Sequence, residues 1–332
     1  MVNKILIFRT DRIGDLIVTC PTIISIKKYF KECDITIITS NRNFDYAKSL
    51  NLFGDVLQFP RSNLISKIKF IYNLYKKKFD YIFVFDGKER SILTAAFIKS
   101  KIKVALSSSI KFHYKLFKIK FFKDCENTNL NEIFQQMLNY SNVKVKIDNY
   151  DFIKKKRNNN FSNKIPMEKF VHIHLDEKWF SELYISSYTN INPKYEDFIE
   201  LINSISKQSN ILITTGIIDT SIVYELKNKF LEKIDEKIYY KKNSDKSIYL
   251  IYMPSFEDIE SLLRKSKILI ACHGSITHAA NSFDIQKIDI LEEKKIKFYK
   301  RFTSYLEKYH PIYRSNFVLL RGDIMKKIQL LN

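Results

Sequence analysis

Along the first half of the chain, short continuous apolar runs alternate with longer segments in which apolar residues recur every three or four positions. The runs KILIF (4–8), ITIIT (35–39), VLQF (56–59), YIFVF (81–85) and KVAL (103–106) suit strands buried on both faces of a parallel sheet. Segments 17–31, 62–78 and 89–99 between them read as amphipathic helices. Such alternation predicts a doubly wound, Rossmann-like domain. The pattern breaks at KKKRNNNFSNKIP (154–166), a stretch that is charged, then Asn-rich, and ends in Pro166. It then restarts. FVHIHL (170–175), ILITT (211–215), IYLIYM (248–253), ILIAC (268–272) and KIDIL (287–291) are strand candidates, separated by helical segments 194–207, 219–233, 256–265 and 275–283. The expected order is an N-terminal Rossmann-like domain over 1–155, a linker over 156–166 and a C-terminal Rossmann-like domain over 167–300. Residues 301–332 read as helix and loop that pack back on the first domain.

Composition narrows the class. With 332 residues, 45% of them hydrophobic, the chain can bury two cores, which excludes wholesale disorder. Lysine and arginine outnumber acids 56 to 36, and the net charge of +20 favours anionic partners such as phosphorylated glycans or anionic lipid surfaces. The plainer reading is that surface lysines keep an aromatic-rich protein in solution. No zinc-finger spacing, ribonucleoprotein motif or basic heptad region is present, so nucleic acid is not the expected partner. Cys20, Cys33, Cys125 and Cys272 are scattered and form no C-x-x-C pair, as in reduced cytosolic proteins. Arg9 and Asp11 interrupt the first apolar run before it could serve as a signal peptide. The expected location is therefore the cytoplasm.

Three constellations carry chemistry. Arg9-Thr10-Asp11-Arg12-Ile13-Gly14-Asp15 lies where the first strand gives way to the first long helix, the end at which doubly wound sheets bind ligands. Gly14 allows close backbone approach. The Asp15 carboxylate could take a proton from a substrate hydroxyl, or it could merely cap the helix, and Asp11 competes for the same role. Cys272-His273-Gly274-Ser275-Ile276-Thr277-His278 follows a strand and opens a helix, which offers free amides to a pyrophosphate. His278 in that stretch also reads as a half-buried histidine facing the sheet. His172 and His174 share a strand face, but only Asp176 stands near them, so no metal site is expected. Lys178 reads as a phosphate counter-charge and Trp179 as a core anchor. Gly216, after strand 211–215, is placed in the nucleotide pocket.

On these residues the chain resembles glycosyltransferase family 9, which includes the heptosyltransferases of lipopolysaccharide inner-core synthesis. The carriers are R-x-x-x-I-G-D over 9–15, the His-Ala-Ala helix at 278–280 and Lys178-Trp179, and the resemblance is strongest over 4–40 and 266–283. It implies a GT-B fold, with two Rossmann-like domains facing a central cleft. It also implies an inverting mechanism without metal or other cofactor, and a nucleotide-diphosphate sugar bound mainly by the second domain. The family's catalytic carboxylate falls on Asp15 and its phosphate-binding lysine on Lys178. Its pyrophosphate loop falls on His273, Gly274, Ser275, Thr277 and His278, while Arg9, Asp11, Arg12 and Gly14 lie on the acceptor side. This chain departs from the family in carrying His273 where an acid is usual, and Gly274 and Ser275 in exchanged order.

The expected function is transfer of heptose or a similar sugar to a lipopolysaccharide or other cell-surface glycan. Alternatives are a sugar-nucleotide epimerase of the same fold, or a non-catalytic protein that binds a glycan or membrane surface. Peripheral contact with the inner membrane is assigned to Lys111–Lys123, where lysines interleave with aromatics. If helical, this segment aligns Lys111, Lys115 and Lys118 beside Phe112, Leu116 and Ile119. Otherwise it is a loop and strand whose aromatics fill the first core.

Overall fold

The structure, a computed structural model, describes residues 2–61, 63–107, 116–124, 128–155 and 159–331. The chain divides into two compact units. Unit 1 comprises Met1–Phe152 with Lys300–Ser304, and unit 2 comprises Ile153–Tyr299 with Tyr305–Asn332.

Unit 1 runs β1 (Asn3–Arg9), α1 (Ile13–Tyr29), β2 (Cys33–Thr39), α2 (Phe44–Ser49), β3 (Asp55–Gln58), α3 (Leu64–Lys77), β4 (Phe79–Val84), α4 (Glu89–Phe97), β5 (Ser100–Ser107), β6 (Ile119–Lys123) and α5 (Leu130–Tyr140). Its sheet is parallel throughout and ordered β3-β2-β1-β4-β5-β6, the doubly wound Rossmann order. Ile5, Leu6, Ile7 and Phe8 of central β1 are wholly buried, which is why that strand is apolar on both faces.

The short helix α6 (Phe152–Lys155) spans the division. Unit 2 follows with β7 (Phe170–Leu175), α7 (Tyr195–Ser206), β8 (Ile211–Thr215), α8 (Ser221–Glu225), β9 (Glu232–Lys233), β10 (Ile238–Asn243), β11 (Lys246–Ile251), α9 (Phe256–Leu263), β12 (Ser266–Cys272), α10 (Ser275–Ala280), β13 (Gln286–Leu291), α11 (Ile296–Thr303), β14 (Tyr309–Tyr313) and α12 (Phe317–Leu331). Its sheet is ordered β14-β13-β12-β7-β8-β11-β10-β9. The six strands β14 to β11 are parallel and repeat the order of unit 1, while β10 and β9 extend one edge antiparallel. Trp179 anchors this core, fully buried, with its ring 6.4 Å from that of Phe198 and 6.3 Å from that of Phe317.

Three strands, β9, β10 and β14, escape the sequence pattern, and β6 enters it only as the strand alternative for 111–123. They lie at or beside sheet edges, where one face stays wet and polar residues intrude. β14 even contains Pro311, which an edge strand tolerates. The expected return of residues 301–332 onto the first domain is corrected, because only Lys300–Ser304 groups with unit 1. Tyr305–Asn332 belongs to unit 2, since Phe317, Leu320, Ile324 and Ile328 of α12 share one helix face and bury in the core around Trp179. The 156–166 linker also needs correcting. Residues 156–158 lie outside the described residues, but Ile165 is wholly buried with Met167 and Phe170, and Lys265 Nζ donates to Ser162 O at 3.1 Å. These apolar anchors make residues 159–166 part of unit 2.

Lys111, Phe112 and Lys115 of the membrane segment lie outside the described residues, as does Cys125. From Leu116 the chain makes a short turn and enters β6, with Ile119 buried and Phe117 and Phe121 packed against the core. Over 116–123 the strand alternative therefore holds and the helix does not. Among the described residues no helix is long and apolar enough to cross a membrane.

Candidate functional site

In unit 1 the strand order reverses between β1 and β4, and the chain leaves β1 there through Thr10, Asp11 and Arg12. A pocket of about 320 Å³ opens at this end, lined by Asp11, Asp15, Thr10 and Ser40 together with Arg12, Arg42, Arg61, Lys88 and Arg90. Arg9 is buried beneath it. Its Nη1 donates to Phe85 O at 2.5 Å and its Nε to Asp15 O at 3.0 Å. The same guanidinium lies 3.4 Å from Asp11 Oδ1 and 3.7 Å from Asp15 Oδ1. It is a pin under both carboxylates, so it is not free to meet an acceptor.

Asp15 occupies the third position of α1, after Ile13 and Gly14, and its Oδ2 accepts the Arg12 amide N–H at 3.1 Å. The capping role is therefore realised. It uses one carboxylate oxygen, and the side chain remains about a third exposed. Asp11 is more enclosed, and its Oδ1 is buried without a hydrogen bond beyond the ion pair to Arg9. Burial pushes its carboxyl up to about 6, against the pull of Arg9, and Asp15 and Asp86 add to the rise.

A stability signature follows from that shift. A carboxyl raised from 3.8 to about 6 contributes stability that is full below pH 4 and lost as pH climbs through 6. Asp11→Asn is thus expected to be more stable than wild type at pH 7, by about 3 kcal/mol, with the gap closing toward pH 4. Urea denaturation at the two pH values measures it, and a gap independent of pH would contradict the shift.

The end of β4 brings a further acid to this loop, one outside the sequence motifs. Asp86 accepts from Thr10 N (3.1 Å), Thr10 Oγ1 (2.6 Å), Ser91 Oγ (2.7 Å) and Lys88 N (3.1 Å), so it locks the turn after β1. Lys88 Nζ donates to Thr10 O at 2.7 Å. The available signal was Asp86-Gly87 at the end of a strand candidate. Gly87 takes φ +61°, and a Cβ there would meet Leu106 O at 3.2 Å.

In unit 2 the corresponding reversal falls between β7 and β12. Asp176, buried just past β7, pairs with the Lys178 ammonium and accepts the Lys178 N–H at 3.1 Å. Burial alone would raise Asp176, but Lys178 and His174 reverse this and hold it well below the usual carboxylate range. Lys178 is pushed up, because the attraction of Asp176 outweighs burial. Gly274 and Gly216 both close on this pair. A Cβ on Gly274 would lie 2.6 Å from Lys178 Nζ, and one on Gly216 would lie 2.6 Å from Glu177 Oε2 and 2.8 Å from Asp176 Cβ. Lys178, Gly216 and Gly274, distant in sequence, thus form one cluster, with Ser275 opening α10 beside it.

His172 and His174 do share a face, as H-x-H spacing requires, and both turn to the hydroxyl of Thr214. Thr214 Oγ1 lies 2.8 Å from His172 Nε2 and 2.9 Å from His174 Nδ1. Burial, aided by His174, lowers the His172 imidazole to about 3, so it stays neutral. Among the described residues no group of three His, Cys, Asp or Glu is placed to hold a metal.

Asp289 of β13 was missed, although one acid inside the apolar run KIDIL was a signal. It is buried and accepts from His273 Nδ1 (2.7 Å), Thr277 Oγ1 (2.8 Å) and Tyr309 OH (2.8 Å). Thr277 is therefore turned inward to Asp289, away from the phosphate role read for it. His278 is a satisfied buried histidine: its Nδ1 lies 2.9 Å from Tyr305 OH, and burial, then His273, hold it well below the usual imidazole range. Arg314, after β14, had no sequence signal. It is buried and donates to Lys178 O at 2.7 Å and Thr189 O at 2.8 Å, which fixes the backbone that carries Lys178.

No protein-family model matches the chain, and no curated protein is similar to it in sequence. Solved structures are similar in three dimensions. The E. coli heptosyltransferase WaaC with ADP has a TM-score of 0.71 at 12% identity, over 99% of this chain and 100% of that one. A glycosyl transferase family 9 structure from Veillonella parvula has a TM-score of 0.67 at 11% identity, over 98% of this chain and 89% of that one. The UDP-GlcNAc 2-epimerase from Methanocaldococcus jannaschii has a TM-score of 0.58 at 15% identity, over 99% of this chain and 92% of that one. The chain thus has the fold of two Rossmann-like units that these glycosyltransferases and epimerases share.

Proposed function

We propose that the chain is an inverting glycosyltransferase that moves heptose or a similar sugar from a nucleoside-diphosphate donor to an anionic cell-surface glycan such as lipopolysaccharide. The observation that carries this reading is the Lys178–Gly274–Gly216 cluster at the carboxyl end of the unit 2 sheet. It brings the Lys178 ammonium against Gly274 at the start of α10, at the end of the sheet where doubly wound folds bind phosphates. The fold likeness to a heptosyltransferase crystallised with ADP supports the same choice.

In this reading Asp15 takes the proton of the acceptor hydroxyl. The oxygen attacks the anomeric carbon as the bond to the diphosphate breaks on the opposite face. Lys178 and the Gly274 and Ser275 amides stabilise the negative charge left on the departing phosphate, which a metal ion would otherwise do. His273, oriented by Asp289 through Nδ1, adds a donor beside them. Arg12, Arg42, Arg61, Lys88 and Arg90 outnumber Asp11 and Asp15 in the unit 1 pocket, which suits a phosphorylated or carboxylated acceptor. The enzyme would act in the cytoplasm, at the face of the inner membrane.

The test is incubation with a panel of ADP-, UDP- and GDP-sugars, with and without an anionic glycan acceptor, followed by mass spectrometry. Acceptor-dependent release of nucleoside diphosphate with glycosylated acceptor is expected, at an undiminished rate in EDTA. Loss of turnover on chelation would put the leaving-group charge on a metal. Acceptor-free conversion of a donor to its epimer would favour the epimerase reading, to which two solved structures similar to this chain belong by name, at a TM-score of 0.58.

A further inference from the structure

Helix α3, LISKIKFIYNLYKK, carries one broad apolar arc, from Phe70 through Leu74 and Ile71 to Ile65, which the core divides into two sides. On one, Leu74 is buried in the unit 1 core and Phe70 packs against it. On the other, Leu64, Ile65, Ile68 and Tyr72 are 72%, 75%, 58% and 54% exposed. At 3.6 residues per turn these four and Tyr75 fall within an arc of about 100°. A helix in water ordinarily turns such a stripe inward.

The stripe does not stop at the helix end. Tyr75 also lines a groove of about 650 Å³ floored by Phe79, Phe97 and Phe117, with Lys78, Lys99 and Lys118 among the lysines on its rim. Phe97 is half exposed there. The helix contains no acidic residue, and Lys69 and Lys76 border the stripe, the latter with Nζ 4.3 Å above the Tyr72 ring. Exposed isoleucine and leucine, tyrosine at one end and lysines along the border are the elements of a helix lying in a headgroup layer.

We propose that the outer face of α3 and the adjoining groove dock unit 1 on an anionic lipid bilayer. The apolar stripe enters the acyl boundary and the lysines meet lipid phosphates. Charge decides for lipid over a neutral apolar partner, since an acid-free helix ringed by lysines complements an anionic surface. This surface is centred on α3 and not on the segment 111–123 read in the sequence, of whose described residues Phe117 and Lys118 line the groove. It does not rest on the transferase reading, because binding is scored without donor or acceptor.

The experiment is sedimentation with phosphatidylcholine vesicles, with and without phosphatidylglycerol, for wild type, Ile65→Ser/Ile68→Ser and Lys76→Gln/Lys99→Gln. All four positions are exposed at the surface, and equal thermal midpoints verify that the variants fold. Wild type is expected to pellet with the anionic vesicles in a salt-sensitive manner. Partitioning should fall about fivefold for each lysine removed, and roughly tenfold or more for the isoleucine pair. Equal pelleting of all three proteins, or equal binding to neutral vesicles, overturns the proposal. So does a wild-type dimer that the isoleucine pair abolishes, since a second copy would then be the occupant of the stripe.

Discussion

Asp15→Asn is expected to keep the fold and nucleotide affinity while turnover falls by about two orders of magnitude or more, the scale of a lost general base. The structure makes this substitution discriminating. Asp15 already caps α1 through Oδ2, and the Asn oxygen can accept the same Arg12 N–H, so the cap survives. What disappears is the proton-accepting charge. Stability should fall by no more than about 1 kcal/mol, the worth of a charge in a first helical turn. Steady-state turnover with saturating donor and acceptor, beside a denaturation curve, separates the two effects. Near-normal turnover would leave Asp15 as a cap. The base would then be Asp11, whose carboxyl, raised to about 6, is better matched to proton transfer near neutrality.

Lys178→Ala is expected to destabilise unit 2 by about 3–5 kcal/mol, because it strands the Asp176 carboxylate in a buried site. A simple binding measurement on that variant would therefore mislead. Lys178→Met combined with Asp176→Asn removes both charges and should recover most of the lost stability. Calorimetry on the double variant should then show nucleoside-diphosphate affinity weakened by about 1.5–3 kcal/mol, the worth of a hydrogen bond to a charged group. Unchanged affinity would make Lys178 a structural partner of Asp176 and nothing more. The pair also has a pH signature. Asp176 is depressed, so its stabilisation is full above the usual carboxylate range and lost as pH falls well below 4. The double variant should lack that part of the acid sensitivity.

The candidate site was partly legible before the structure. Asp15, in the first turn of α1, and Lys178, Gly216 and Gly274 come just after continuous apolar runs, and in a doubly wound sheet that end of the strands is where ligands bind. Asp86 and Asp289 left only a local signal and Arg314 none, and their partners were not legible, because each acts on a loop far from it in sequence. Asp289 completes His273 from the neighbouring strand, and Arg314 fixes Lys178 from the last one.

The alternation of apolar runs and amphipathic segments by itself determined the class of fold. Strand segments buried on both faces, such as Ile5–Phe8 of β1, read as continuous apolar runs, and that signal needs no partner to be read, whereas the buried His172 and His174 of β7 depend on the Thr214 hydroxyl of the neighbouring strand. Only the tertiary structure decided which strands are neighbours, β1 beside β4 and β7 beside β12, because that depends on how crossovers pack. It also decided the edge strands, whose wet faces erase the pattern, and the fate of residues 305–332, whose apolar face fits unit 2. Helix α3 marks the limit most plainly. Its sequence holds one broad apolar arc, and periodicity does not record how much of that arc the core can cover. Which part faces the core is settled by packing in unit 1, which buries Leu74 and leaves Leu64, Ile65, Ile68 and Tyr72 exposed.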